Sequence, residues 1–322
     1  MRSSTRPGRV WLAVAVGAAF LLCAAAPPAT SDRGFDIGQL NAAVSAELRT
    51  SYALPAPAGR RVVVELKRRS PDGRWAFGGT VLLRLTVRGS DPVAVLFLAH
   101  RDSHGWRVGT QGSAPFAAMT VGAPDSVVHG DERRPFAATV RDADPARASR
   151  AYRSAGTGLA LPWGLGQAWG GGQIHGDTGD SRPFNAIDFY GGDGNVRASA
   201  SGLVYRFCTG SAWPMLEVVH GNGWTTGYYH LNAETSAPDG STVYAGQYLG
   251  HVAMELPCGG ETTGPHVHWT LWRAGTPVAV NGLTIGGWTF YEGPAAYGGY
   301  AMHGGTRVDS WSCCHLTNFG IT

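Results

Sequence analysis

TTGPHVHWTL, residues 262–271, places two histidines one residue apart in an apolar, β-favouring run. On a strand, residues i and i+2 share a face. Val267, Trp269 and Leu271 are therefore expected on one side, and His266, His268 and Thr270 on the other. Two adjacent imidazoles repel when both are charged, and each is costly to bury without a partner. A divalent metal that carries a catalytic water removes both difficulties. The plain alternative is a polar, solvent-facing strand edge, so the rest of the chain has to decide.

Eight of the 11 histidines lie after residue 156. His175 stands in GGQIHGDTGD (171–180), which reads as a glycine-rich turn. Asp188 stands in FNAIDFYGG (184–192), among Phe184, Ile187, Phe189 and Tyr190. A carboxylate in such company is expected to be buried, and a buried carboxylate needs a cation. His230 closes the strand pattern WTTGYYHL (224–231), pointing with Tyr228 and away from Tyr229. Three protein ligands and one open position would mark a catalytic metal site. The chain has no HExxH glutamate, so a histidine that is not a ligand would have to act as base.

Taken in order, LPWGLGQAW (161–169), IHGDTGD (174–180), FNAIDF (184–189), TTGYYHLN (225–232) and TTGPHVHWTL resemble the lysostaphin-type zinc endopeptidases. Within them the pattern is similar to the LasA (staphylolysin, β-lytic) branch, whose first histidine and aspartate lie about a dozen residues apart. The resemblance covers roughly 156–290. It implies a mainly β, antiparallel sheet or sandwich fold for the catalytic part. It implies His175, Asp188 and His268 as ligands of one zinc ion, His230 and His266 as the catalytic histidines, and a Cys208–Cys258 disulfide. It also implies cleavage of peptides at glycine, chiefly in bacterial peptidoglycan cross-links, with Gly-rich proteins as other substrates. The branch's second disulfide has no counterpart, because Cys313 and Cys314 are adjacent. A non-catalytic cell-wall-binding or activator module that keeps the fold is the alternative function. Trp163, Trp169, Tyr190 and Trp269 are candidates for cleft walls, with core packing as the plainer role. Tyr297, Tyr300 and His303 read as loop residues.

The whole chain sets the frame. It has 322 residues, 43% of them hydrophobic, and 47 glycines, which implies many turns and short strands. Arg2, Arg6 and Arg9 precede VWLAVAVGAAFLLCAAA, an export signal by pattern, so residues 1–31 are expected to be removed and the protein secreted without a lasting membrane anchor. Once Cys23 is lost with the signal, four cysteines remain, and four allow three pairings.

Residues 32–140 read as a small α+β domain. Asp36 can cap a helix bearing Ile37, Leu40, Val44 and Leu48. Strand-like runs follow at 61–69, 80–89, 92–102 and 104–110. One helix and an antiparallel meander look like a cystatin-like or NTF2-like unit. His100, Asp102 and His104 fall across a turn and read as solvated. Residues 141–156 form a polar Ala/Arg-rich linker, and 157–322 the endopeptidase domain. Residues 32–153 carry 18 basic and 12 acidic side chains, and residues 154–322 carry 5 basic and 11 acidic. Opposite charge suits the two parts to docking. The first is expected to be a prodomain that inhibits the second, which would make the protein a zymogen. No nucleic-acid recognition motif is present.

Overall fold

The computed structural model describes residues 35–51, 60–84, 92–138, 156–176, 184–312 and 315–321. The expectations for the export signal, for 141–155 and for Cys313 and Cys314 lie outside these residues. Helix α1 (Ile37–Ser51) begins where Asp36 Oδ1 accepts the N–H groups of Gly38 and Gln39, at 2.9 and 3.1 Å. Leu40, Val44 and Leu48 are buried as their spacing requires, while Ile37 stays exposed. Four strands follow: β1 (Arg60–Arg69), β2 (Trp75–Arg84), β3 (Val93–Asp102) and β4 (Gly105–Thr110), paired antiparallel in that order. The second strand begins at Trp75, earlier than the apolar run at 80–89 suggested. Two helices close this part, α2 (Ala114–Gly122) and α3 (Gly130–Ala138). Neither was expected. Helix α2 is apolar with little amphipathic pattern and is announced by the Ser113 cap and a proline in its first turn; α3 carries Pro135 inside it.

The remainder is β structure. Strands β5 (Ala168–His175), β6 (Ala186–Tyr190), β7 (Asn195–Arg197), β8 (Gly202–Phe207), β9 (Met215–His220) and β10 (Trp224–Tyr229) come first. The short β11 (Leu231–Asn232), β12 (Thr242–Val243) and β13 (Tyr248–Val252) precede β14 (Val267–Arg273), the opening motif, and β15 (Thr276–Pro277). The chain ends with β16 (Thr284–Ile285), β17 (Trp288–Glu292), β18 (Gly299–His303), β19 (Thr306–Asp309) and β20 (Leu316–Thr317). Among the described residues the main sheet runs β12-β8-β9-β10-β14-β6-β5-β20, with β15 beside β14. Three-stranded (β11-β13-β7) and four-stranded (β16-β17-β18-β19) sheets flank it. The fold is mainly β and antiparallel, and no described helix is long and apolar enough to cross a membrane.

Alternation gives the main sheet two faces. Val267, Trp269 and Leu271 join Ile187, Phe189, Val218 and Tyr228 in one core. The other face carries Asp188, His268 and Tyr229 in one cross-strand row, then Thr270, Gly227 and Glu217, then Trp272, Thr225 and Val219. The first row ends in the candidate site. The last is covered by the N-terminal part, with Trp272 buried among Leu48, Leu82, Val93 and Val95. Both parts belong to one compact unit, Gly34–Thr322.

Candidate active site

Asp188 and His268 are direct register partners on β6 and β14. Their side chains share the face opposite the core, so the 4.7–4.9 Å strand spacing brings carboxylate and imidazole together. His268 Nδ1 lies 2.9 Å from Asp188 Oδ1. His175 reaches the same carboxylate from β5, with Nε2 2.9 Å from Oδ2. It ends a strand and does not lie in a turn, and a β-bulge puts it on the correct face. Gly171 pairs with Phe189 and Gln173 with Asp188, leaving Gly172 as the extra residue. Trp169 and Ile174, an odd number of residues apart, thereby both face the core, and His175 faces the site. The bulge needs glycine: Gly171 and Gly172 have φ of +100° and +77°, and a Cβ on Gly171 would fall 2.6 Å from the Asp188 carbonyl oxygen.

His175, Asp188 and His268 are all buried, and one ligand atom from each lies within 4.8 Å of the others. Burial pushes the Asp188 carboxyl up, but the charges and hydrogen bonds of His175 and His268 outweigh it and hold it well below the usual carboxylate range. Two imidazole nitrogens and one carboxylate oxygen, convergent and shielded, are the donor chemistry of a divalent transition metal. The residues present fit such an ion.

The other two histidines face the same point. His266 Nε2 lies 3.5 Å from Asp188 Oδ1, while its Nδ1 donates to the Gly264 carbonyl at 2.8 Å. His230 Nδ1 donates to the Glu255 carbonyl at 2.8 Å, and its ring centroid is 4.8 Å from that of His266. A carbonyl can only accept, so both rings carry a proton on Nδ1, and Nε2 is the atom left for chemistry. Burial, and then the neighbouring His266 and His268, draw the His230 pKa down to about 3. His230 does not continue its strand. It takes φ +64° between β10 and β11, which breaks the alternation read for YYHL. A non-glycine residue held in that region is strained, and the surrounding structure has to enforce it.

An open cleft of about 370 Å³ contains all five side chains. Gln173, Tyr190, Tyr297, Trp311 and the stretch Glu261 to Pro265 complete its lining. Of the aromatic residues expected as walls, Tyr190 alone has that role. Trp163, Trp169 and Trp269 are buried in the core, the first two stacked at 5.1 Å. Tyr297 lies in the loop between β17 and β18, as expected, and from there its ring packs edge-on against His175 with centroids 4.7 Å apart. Tyr300 and His303 lie on β18, outside the cleft lining. Cys208 and Cys258 are joined, and the Cys258 N–H donates to Tyr229 OH at 3.0 Å beneath the loop that carries Glu261.

Comparison with known proteins agrees with this geometry. The model for Peptidase family M23 matches residues 182–280, a span that holds four of the five side chains. Protease LasA of Pseudomonas aeruginosa is 30% identical over 147 residues, 43% of this chain and 35% of LasA. The chain thus spans about a third of that relative's length. The beta-lytic metalloendopeptidase of Lysobacter enzymogenes is 30% identical over 149 residues, 43% of this chain and 82% of the relative. Among solved structures, the deep-sea M23 metalloprotease pseudoalterin is 30% identical, covers 50% of this chain and 98% of its own, and superposes with a TM-score of 0.43. Since four-fifths of the Lysobacter enzyme is matched at this identity, the chain belongs to peptidase family M23.

Proposed function

We propose that the protein is a secreted zinc-dependent endopeptidase that hydrolyses peptide bonds at glycine, chiefly in the peptide cross-links of bacterial cell walls. The observation that carries this reading is the convergence of His175, Asp188 and His268 beside two further histidines whose Nε2 atoms face the same cleft. Zinc held by those three ligands would activate a water near neutral pH and polarise the scissile carbonyl. His266, fixed by the Gly264 carbonyl, is placed to accept the proton of the attacking water. His230, its Nδ1–H held by the Glu255 carbonyl, carries no proton on Nε2 at rest; it would first take there the proton that His266 gathers from the attacking water, and in that form steady the developing oxyanion and hand the proton to the departing amine. The two roles are shared across a 4.8 Å ring separation.

The cleft supports the substrate class. Tyr190, Tyr297, Trp311 and the Thr262–Pro265 loop crowd the lining, which suits a chain with little side-chain bulk. A module that kept only the fold would have no use for all five side chains, so the non-catalytic alternative gains nothing from the geometry. The expected inhibitory role of the N-terminal part is not carried forward as cleft blockage, since no described residue of 35–138 lines the cleft. The test is to incubate the zinc-loaded protein with defined glycine-bridged muropeptides and locate the cut by mass spectrometry. New termini at a glycine are expected; intact muropeptides with fully loaded protein would refute the reading.

A further inference from the structure

The sheet face that carries His268 continues into a stretch covered by residues 35–138, and the contact there is built like the inside of a domain. Tyr205, Phe207 and Met215 share one buried cluster with Phe77, Phe116 and Phe136. The two backbones touch through a pair of glycines. Gly112 and Gly275 have φ of +83° and +65°; a Cβ on the first would fall 1.7 Å from the Ala274 oxygen, and on the second 1.8 Å from the Gln111 oxygen. Several polar groups pair across the seam. Glu65 accepts the N–H groups of Cys208 and Thr209 at 3.0 and 2.7 Å, and Gln111 donates to Thr225 at 3.0 Å. Tyr205 OH donates to Glu132 at 2.6 Å, and Arg68 holds that same carboxylate. Lys67, the only lysine of the chain, donates to the Arg206 carbonyl at 2.6 Å and pairs with Asp239, leaving its side chain 10% exposed.

We propose that residues 35–138 are a permanent half of the protein's core: they stay seated on the sheet when the chain is cut within 141–155, and the cleft works with them in place. An apolar seam with paired polar groups and touching backbones resembles an obligate interface, a core divided in two. A segment made to be shed would leave Phe207 and Met215, and separately Trp272, as apolar side chains on open sheet. The cleft meanwhile is lined by no described residue of 35–138, so retention does not close it.

The experiment replaces part of 141–155 with the recognition sequence of a site-specific protease and cuts the zinc-loaded full chain to completion. Native mass spectrometry and size exclusion then show whether the fragments stay together. An amine-acylating reagent, read by site-resolved mass spectrometry, reports Lys67, whose uniqueness makes the signal unambiguous. Co-eluting fragments, Lys67 acylated at least tenfold more slowly than in the denatured chain, and a peptide-hydrolysis rate within twofold of the uncut chain are expected. Separation of the fragments, or Lys67 acylated at the rate of the denatured chain, would overturn the proposal. So would a tenfold rise in hydrolysis on cutting, which would make 35–138 a latency domain. The activity comparison rests on the proposed function; association and acylation do not. A chain inert in both forms would therefore refute the function while the other two readouts still decided this inference.

Discussion

Glu217 offers a sharp test of how the two parts share a core. It lies on β9, paired with Tyr205 and Gly227, on the face that residues 35–138 cover, and it is 1% exposed. Its Oε1 has no hydrogen-bond partner among the described residues. Burial raises its carboxyl well above the ordinary value of 4.5, and the Lys67 ammonium only partly offsets this. The sign follows from linkage. The folded state keeps the proton at pH values where the unfolded state has released it, so stability is fully present below about 4.5 and falls as pH rises towards the folded pKa. The slope is about 1.4 kcal/mol per pH unit for one group, or roughly 3 °C in Tm per unit for a body of this size. Glu217→Gln removes the titration while keeping the shape. Thermal unfolding of both proteins at pH 5 and 6, at equal metal content, is therefore expected to show the variant gaining about 1.4 kcal/mol on the parent between the two. A difference that stays constant with pH would refute the reasoning, and a gain for the parent would reverse it.

Other outcomes follow from the site and its supports. His266→Ala is expected to keep one zinc per chain and lose at least about a hundredfold in kcat, because a proton acceptor is removed and no ligand; paired metal analysis and kinetics check it. Asp188→Asn is expected to lose most of the bound zinc, since the anionic ligand that bridges His175 and His268 is neutralised. Replacing Cys208 and Cys258 by Ser opens a closure spanning 50 residues and is expected to lower unfolding free energy by about 4 kcal/mol, measured by denaturant titration.

Much of the site was legible in the sequence where strand alternation speaks directly. TTGPHVHWTL separates its faces as read, and the apolar neighbours of Asp188 foretold its burial. His175 was placed in a turn because three consecutive glycines look like loop; in a strand they are equally the mark of a bulge, and here the bulge sets the parity. His230 lost its predicted orientation to a positive φ, which no period-2 pattern encodes. Trp269 alternates onto the core face, and Trp169 joins it there once the bulge is counted. Tyr297 reaches His175 through tertiary placement of the β17–β18 loop, which local sequence does not specify. Helices α2 and α3 lacked the amphipathic stripe that reveals a helix, because α2 is largely apolar and α3 carries a proline.

The question underneath all of this is whether a single ion joins three strands at Asp188. Diffraction from zinc-loaded crystals, recorded on either side of the zinc absorption edge, answers it directly. One anomalous peak per chain is expected, about 2.0–2.2 Å from His175 Nε2, an Asp188 carboxylate oxygen and His268 Nδ1. A peak held by other side chains, or none at that carboxylate in fully loaded protein, would contradict it.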